Sequence, residues 1–170
     1  MTNKINSKNK LKVLLVIDVY KREYKGMLKL KRELTSRGAK VSLISRHVVE
    51  YAFNQVKPDI VILPKSHKIN FIEHIHKHAY VILLQAESFS GSGESLVTFS
   101  KQGWKTDCID MVFTWGEYDT KIYKSEGIFK HQVMKITGHP MIEDWYNKKE
   151  AKEGFDTKKV IGISTSLRAM

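Results

Sequence analysis

The carboxylate best placed for acid–base chemistry is Glu87, in the run Gln85-Ala86-Glu87-Ser88-Phe89-Ser90-Gly91-Ser92-Gly93-Glu94. This run follows an apolar, strand-like stretch from Ala79 to Leu84. A carboxylate just beyond a buried strand accepts a proton from a substrate hydroxyl when burial raises its pKa. The small side chains around it, Ser88 among them, leave room for a ligand to approach the backbone. The alternative reading of the same run is a Ser/Gly surface loop with a solvated glutamate.

A second group is cationic. Lys21, Arg22 and Lys25 lie in the segment Asp18 to Gly26, after the first apolar run. Cations at a helix start bind an anionic acceptor group, or else they form a solvated basic turn. Neither G-x-G-x-x-G nor a Walker pattern is present, so a dinucleotide or NTP phosphate cradle is not expected here. His74, His76 and His78 alternate, which suits a strand face better than a helix face, and the sequence has no H-E-x-x-H and no Cys/His pairing. No metal site is therefore expected. His139, in Thr137-Gly138-His139-Pro140, and the pair Trp115-Gly116 both follow strand-like runs. They are candidates for contacting substrate, with hinge packing and core packing as the competing roles. The lone Cys108 excludes an internal disulfide framework and reads as a buried, inert thiol in a reducing compartment.

Strands are expected near 11–18, 40–45, 59–63, 80–85, 110–114 and 132–136, where β-branched and apolar residues cluster. Helical spacing links them. Met27 to Leu34 gives a helix ended by Arg37-Gly38, Val48 to Val56 a second, and Ile69 to Ile75 a third that closes in a His-rich turn over 74–78. A short helix over 96–101 and another ended by Gly127 follow. Alternation of this kind predicts an α/β fold, a doubly wound parallel sheet of Rossmann-like type. Right-handed crossovers then align the strand C-termini along one edge, where open α/β sheets bind their ligands. The loops 18–26, 64–68, 85–95 and 115–120 fall on that edge. The expected organisation is a basic disordered tail over 1–10, a Rossmann-like domain over 11–140 and an exposed linking helix over 141–157. Residues 158–170, with the strand-like Lys158 to Ser164, begin a truncated second domain.

With 170 residues, the chain is long enough for one core. Its apolar runs are too short to cross a bilayer, and no signal peptide is visible. The formal charge is +11, and residues 1–40 hold 12 Lys/Arg against 3 Asp/Glu. That concentration suggests one basic face, which either is an ordinary solvated surface or attracts anionic membrane surfaces, glycans, phosphorylated substrates or nucleic acid. No nucleic-acid-binding module is recognisable, so that partner is not expected.

Four stretches resemble the N-terminal half of GT-B glycosyltransferases, closest to bacterial surface-carbohydrate biosynthesis enzymes of the Kdo-transferase-like and polyglycerophosphate-transferase-like group. They are Val13 to Gly38, Pro58 to Lys65, Gln85 to Ser88, and Trp115-Gly116 with Thr137 to Pro140 and the downstream Lys159 to Ser166. Ser88 stands where that group usually shows glycine. The resemblance implies an acceptor-side domain that binds a glycan or lipid-linked acceptor through Lys21, Arg22, Lys25, Ser88, Trp115, Gly116 and His139. It implies Glu87 as general base and Ser164, Thr165 and Ser166 at the donor side. A nucleotide-sugar donor is implied for a longer parent protein, with no other cofactor and a cytoplasmic location, either free or peripheral at the inner face of the plasma membrane. This piece alone is expected to be inactive. The competing expectations are a non-catalytic flavodoxin-like or receiver-like binding module and half of a sugar-nucleotide epimerase. A receiver requires an acidic cluster after its first strand and an aspartate after its third, whereas here Asp18 stands alone and Pro64-Lys65 follows the third strand.

General-base assistance contributes roughly 10²–10⁴-fold in rate. In the full-length parent, Glu87→Gln is expected to lower turnover by at least about 100-fold with the fold intact. Glu94→Gln, in the same loop, serves as the control. Equal, small effects in a transfer assay would make Glu87 an ordinary loop residue.

Overall fold

The apolar runs pair into a six-stranded, all-parallel sheet in the order β2-β1-β3-β4-β5-β6. The computed structural model describes residues 10–64, 71–84, 105–129 and 131–138. The strands are β1 (Lys12–Ile17), β2 (Lys40–Ser45), β3 (Ile60–Leu63), β4 (Tyr80–Leu84), β5 (Met111–Thr114) and β6 (Val133–Ile136). The described α-helices are α1 (Tyr20–Ser36), α2 (Val49–Val56), α3 (Ile72–His78) and α4 (Glu117–Ser125). The doubly wound α/β class read from the sequence is the fold observed. Among the described residues no helix is long and apolar enough to cross a membrane.

Strand alternation divides the core in two. Leu14, Val16, Val61, Leu63, Val81, Leu83 and Val112 face α2, α3 and α4. Val13, Leu15, Ile17, Ile62, Ile82 and Leu84 face the side of α1, which contributes Met27. The strand order explains this split. The β1-to-β2 connection steps one way along the sheet and the connections through α2, α3 and α4 step the other way. Right-handed crossovers therefore place α1 on one face and the other three helices on the opposite face.

Two helix assignments differ from the sequence reading. The basic segment Tyr20 to Lys25 is not a turn: α1 begins at Tyr20, immediately after Val19. Its polar composition hid the helix because Glu23 and Gly26, rather than apolar residues, face inward there. The His-rich segment is likewise helical. His74 and His78 lie one turn apart on α3, with ring centroids 4.7 Å apart, and His74 stacks on Phe71. The segments 96–101 and 158–164, and the linking helix over 141–157, lie outside the described residues.

A repeated device fixes the N-terminal edge of the sheet. Asp59, just before β3, accepts the backbone N–H of Lys12 at 2.7 Å, and its own N–H donates to the Lys12 carbonyl. Asp110, just before β5, does the same to Val81 of β4, with a side-chain distance of 2.7 Å. Each aspartate thus extends the strand ladder by one further hydrogen bond. α4 ends with Gly127 at φ 62°, the left-handed conformation that favours glycine after a helix.

Asp110→Ala removes the acceptor for the Val81 N–H. It is expected to cost about 1–3 kcal/mol of stability, read from urea unfolding. Asp59→Ala should act alike at Lys12, and an effect within error for both would show that these clamps add nothing.

Candidate functional site

The C-terminal edge of the sheet is organised around a carboxylate with no exposed surface. Glu23, in the first turn of α1, accepts the backbone N–H of Asp18 at 2.8 Å through Oε2. Its Oε1 accepts from Arg22 Nη2 at 2.8 Å. The helix N-cap, Val19, supplies no side-chain cap. Glu23 reaches back to the chain entering the helix and so does the work of a capping box displaced by one residue. A carboxylate near a helix N-terminus also interacts favourably with the helix dipole.

Asp18 carries the network onward. Its side chain is almost buried, and Oδ1 lies 2.5 Å from Arg46 Nε, just past the end of β2. The end of β1, the start of α1 and the turn after β2 are thereby tied together. Ser45 supports that turn by accepting the His47 N–H at 3.4 Å. Sequence reasoning missed Asp18, Glu23 and Arg46 as a group. The available signal was a lone aspartate ending an apolar strand, with a basic residue ending its parallel neighbour.

On this frame Lys21 and Lys25 are exposed and one helical turn apart, so they share a face. Beside them, on the same two turns, the Tyr20 and Tyr24 rings stack with centroids 4.5 Å apart, and Tyr20 is 64% exposed. Arg22 is different: it is half-buried and holds Glu23. The sequence reading grouped it with the two lysines; the structure gives it a positioning part.

Trp115 and Gly116 follow β5 and are both half-buried. Gly116 is the N-cap of α4, in an extended conformation. Its carbonyl accepts from the Thr120 N–H at 3.2 Å and from Thr120 Oγ1 at 2.9 Å. Thr120 Oγ1 also lies 2.7 Å from Oγ1 of Thr114, which is fully buried in β5. Among the described residues, its two chain neighbours aside, no heavy atom lies within 4 Å of where a Gly116 Cβ would stand. In the strand order, β3 and β4 separate β1 from β5. At about 4.8 Å per strand the Lys21/Lys25 face and the Trp115-Gly116 bend stand roughly 14 Å apart. The C-terminal end of β4, which leads to residues 85–95, falls between them. Glu87, Ser88, His139, Ser164, Thr165 and Ser166 lie outside the described residues.

Other candidate chemistry recedes. Burial, and then the Glu73 carboxylate, push the Cys108 thiol up from its ordinary pKa, which disfavours the nucleophilic thiolate. Burial, followed by the Asp119 carboxylate, raises the Tyr123 phenol. Among the described residues no group of three or more His, Cys, Asp or Glu side chains is placed to hold a metal ion.

No family model matches the chain, and no curated protein matches it. Among solved structures it is similar to a two-component response regulator of the LuxR family from Aurantimonas sp. SI85-9A1. The two are 13% identical with a TM-score of 0.39, over 85% of this chain and 100% of that one. A likeness that distant carries no inference about function.

Arg46→Met is expected to destabilise the fold by about 1–3 kcal/mol. That is below the usual figure for breaking a fully buried pair, because Arg46 remains 28% exposed. Asp18→Asn combined with Arg46→Met should recover part of the loss. A double variant as unstable as the sum of the two singles would show that the pair is not coupled.

Proposed function

We propose that this chain is the acceptor-binding half of a glycosyltransferase of GT-B type. The parent protein moves a sugar from a nucleotide donor onto a glycan or lipid-linked acceptor in bacterial surface-polysaccharide synthesis. The reading is supported most by the first two turns of α1, where exposed Lys21 and Lys25 flank the stacked Tyr20–Tyr24 pair at the strand C-terminal edge. Ammonium groups recognise the carboxylate or phosphate of an anionic acceptor, and tyrosine rings offer flat apolar area with a polar tip to a sugar. The buried Glu23 holds the helix start in place, so these groups are positioned before any ligand arrives.

In this scheme Glu87, following β4, takes the proton of the acceptor hydroxyl. Ser88 and Gly116 admit the sugar, and His139 and Trp115 border the acceptor. Ser164, Thr165 and Ser166 belong to the donor side. The basic N-terminal third suits work at the cytoplasmic face of the plasma membrane, where anionic headgroups attract Lys and Arg.

Calorimetric titration with a sialylated oligosaccharide and its neutral counterpart tests this reading. The anionic sugar is expected to bind more tightly and to weaken with added salt, as screening of exposed charges requires. Lys21→Ala with Lys25→Ala should weaken it by roughly fivefold to tenfold, the scale of two exposed charge contacts. Equal affinity for both sugars, or an unchanged affinity in the double variant, would remove the acceptor site from α1.

A further inference from the structure

Alternation of His74, His76 and His78 argues against a metal site only where the segment is a strand. On α3 the period is about 3.6 residues, so His74 and His78, at i and i+4, share one face and His76 leaves it. The His74 and His78 ring centroids are 4.7 Å apart. His76 turns instead to Asp110, with Nε2 3.4 Å from Oδ1. We propose that His74 and His78 form a two-imidazole site for a divalent transition-metal ion of the class that imidazole suits, Zn²⁺, Ni²⁺ or Cu²⁺.

The ring separation fits such an ion. An imidazole nitrogen sits about 2.0–2.1 Å from zinc. Each ring centroid then lies roughly 3.2 Å from the ion, and two rings at roughly 90–109° around it have centroids roughly 4.5–5.2 Å apart. The observed separation falls inside that span. Two histidines at i and i+4 on one helix face are also how helical zinc motifs present their imidazoles. Among the described residues no other two histidines are spaced this way in a helix.

The pair is also held in place before an ion arrives. Ile72 and Ile75 are fully buried and seat α3 against the sheet, while His74 and His78 are exposed. The His74 ring stacks on Phe71, with centroids 4.4 Å apart, and stands at 82° to the Phe53 ring of α2. Among the described residues neither imidazole takes part in a hydrogen bond or an ion pair, so a ring nitrogen can bind an ion without giving up a partner. Lys57 and Asp59 line the same concavity, of about 440 Å³, at the N-terminal edge of the sheet. Their charges oppose each other, which leaves the imidazoles to set the affinity. Two protein ligands leave the other positions to water or an incoming group, so the ion is exchangeable, unlike one in a closed four-ligand site. Its direct effect is to clip the last turn of α3, just before β4. The site stands at the opposite edge from Lys21 and Lys25, and this inference is independent of the glycosyltransferase reading.

Calorimetric titration of the untagged full chain with NiCl₂, and separately with ZnCl₂, tests it. One saturable site is expected, and the thermal midpoint should rise with added metal because the ion binds the folded helix. His74→Gln and His78→Gln should each weaken binding by at least about tenfold, the lower end of what losing even an outer partner of a metal site costs. His76→Gln, on the same helix but turned to Asp110, should leave the affinity unchanged. In nitrogen-15 spectra, Zn²⁺ should shift the ring signals of His74 and His78 and leave those of His76 in place. Circular dichroism of each variant checks that the fold is kept. Unchanged affinity in both His74→Gln and His78→Gln, or an equal loss in His76→Gln, would overturn the proposal. So would the absence of saturable binding by either metal.

Discussion

Strands that are apolar on both faces constrain this molecule more than any single contact. Leu14, Leu15 and Val16 of β1, and Val81 and Leu83 of β4, have essentially no exposed surface. Such strands exclude water only when helices cover the sheet on both sides, and α1 to α4 are crossovers between strands of this parallel sheet. The crossovers in turn bring every strand C-terminus to one edge. The Lys21/Lys25 face, the Trp115-Gly116 bend and the end of β4 share that edge for this reason, although they are far apart in sequence.

Within that frame, buried and partly buried acids do the positioning. Asp59 and Asp110 hold the N-terminal edge through backbone N–H groups of neighbouring strands. Glu23 and Asp18 hold the C-terminal edge, one through a backbone N–H and Arg22, the other through Arg46. Removing carboxylates from water is costly, and these are retained with charged or backbone donors close to them. The consequence is a helix start whose exposed lysines and tyrosines stand on a fixed base.

The sheet was legible in the sequence because its signal is strong and local: runs such as Leu11 to Val19 and Ile60 to Leu63 admit few other readings. The onset of α1 was not, since its first turns put Glu23 and Gly26 inward where a helix pattern calls for apolar side chains. The histidines of α3 misled for a related reason. Alternation over 74, 76 and 78 mimics a strand, while the residues that set the helix are Ile72 and Ile75, both fully buried. Lys21 and Lys25 could be picked out as surface cations from composition alone. The Asp18–Arg46 pair could not, because it joins two crossover ends that only the β1–β2 pairing brings together.

The central claim is that ligand chemistry takes place at the strand C-terminal edge. Hydrogen–deuterium exchange of the full chain, with and without a sialylated oligosaccharide, tests it directly. The account predicts added protection in peptides covering 18–26 and 85–95, with no change at the opposite edge around 57–60 and 105–110. Protection confined to the N-terminal edge, or none at saturating sugar, would contradict it.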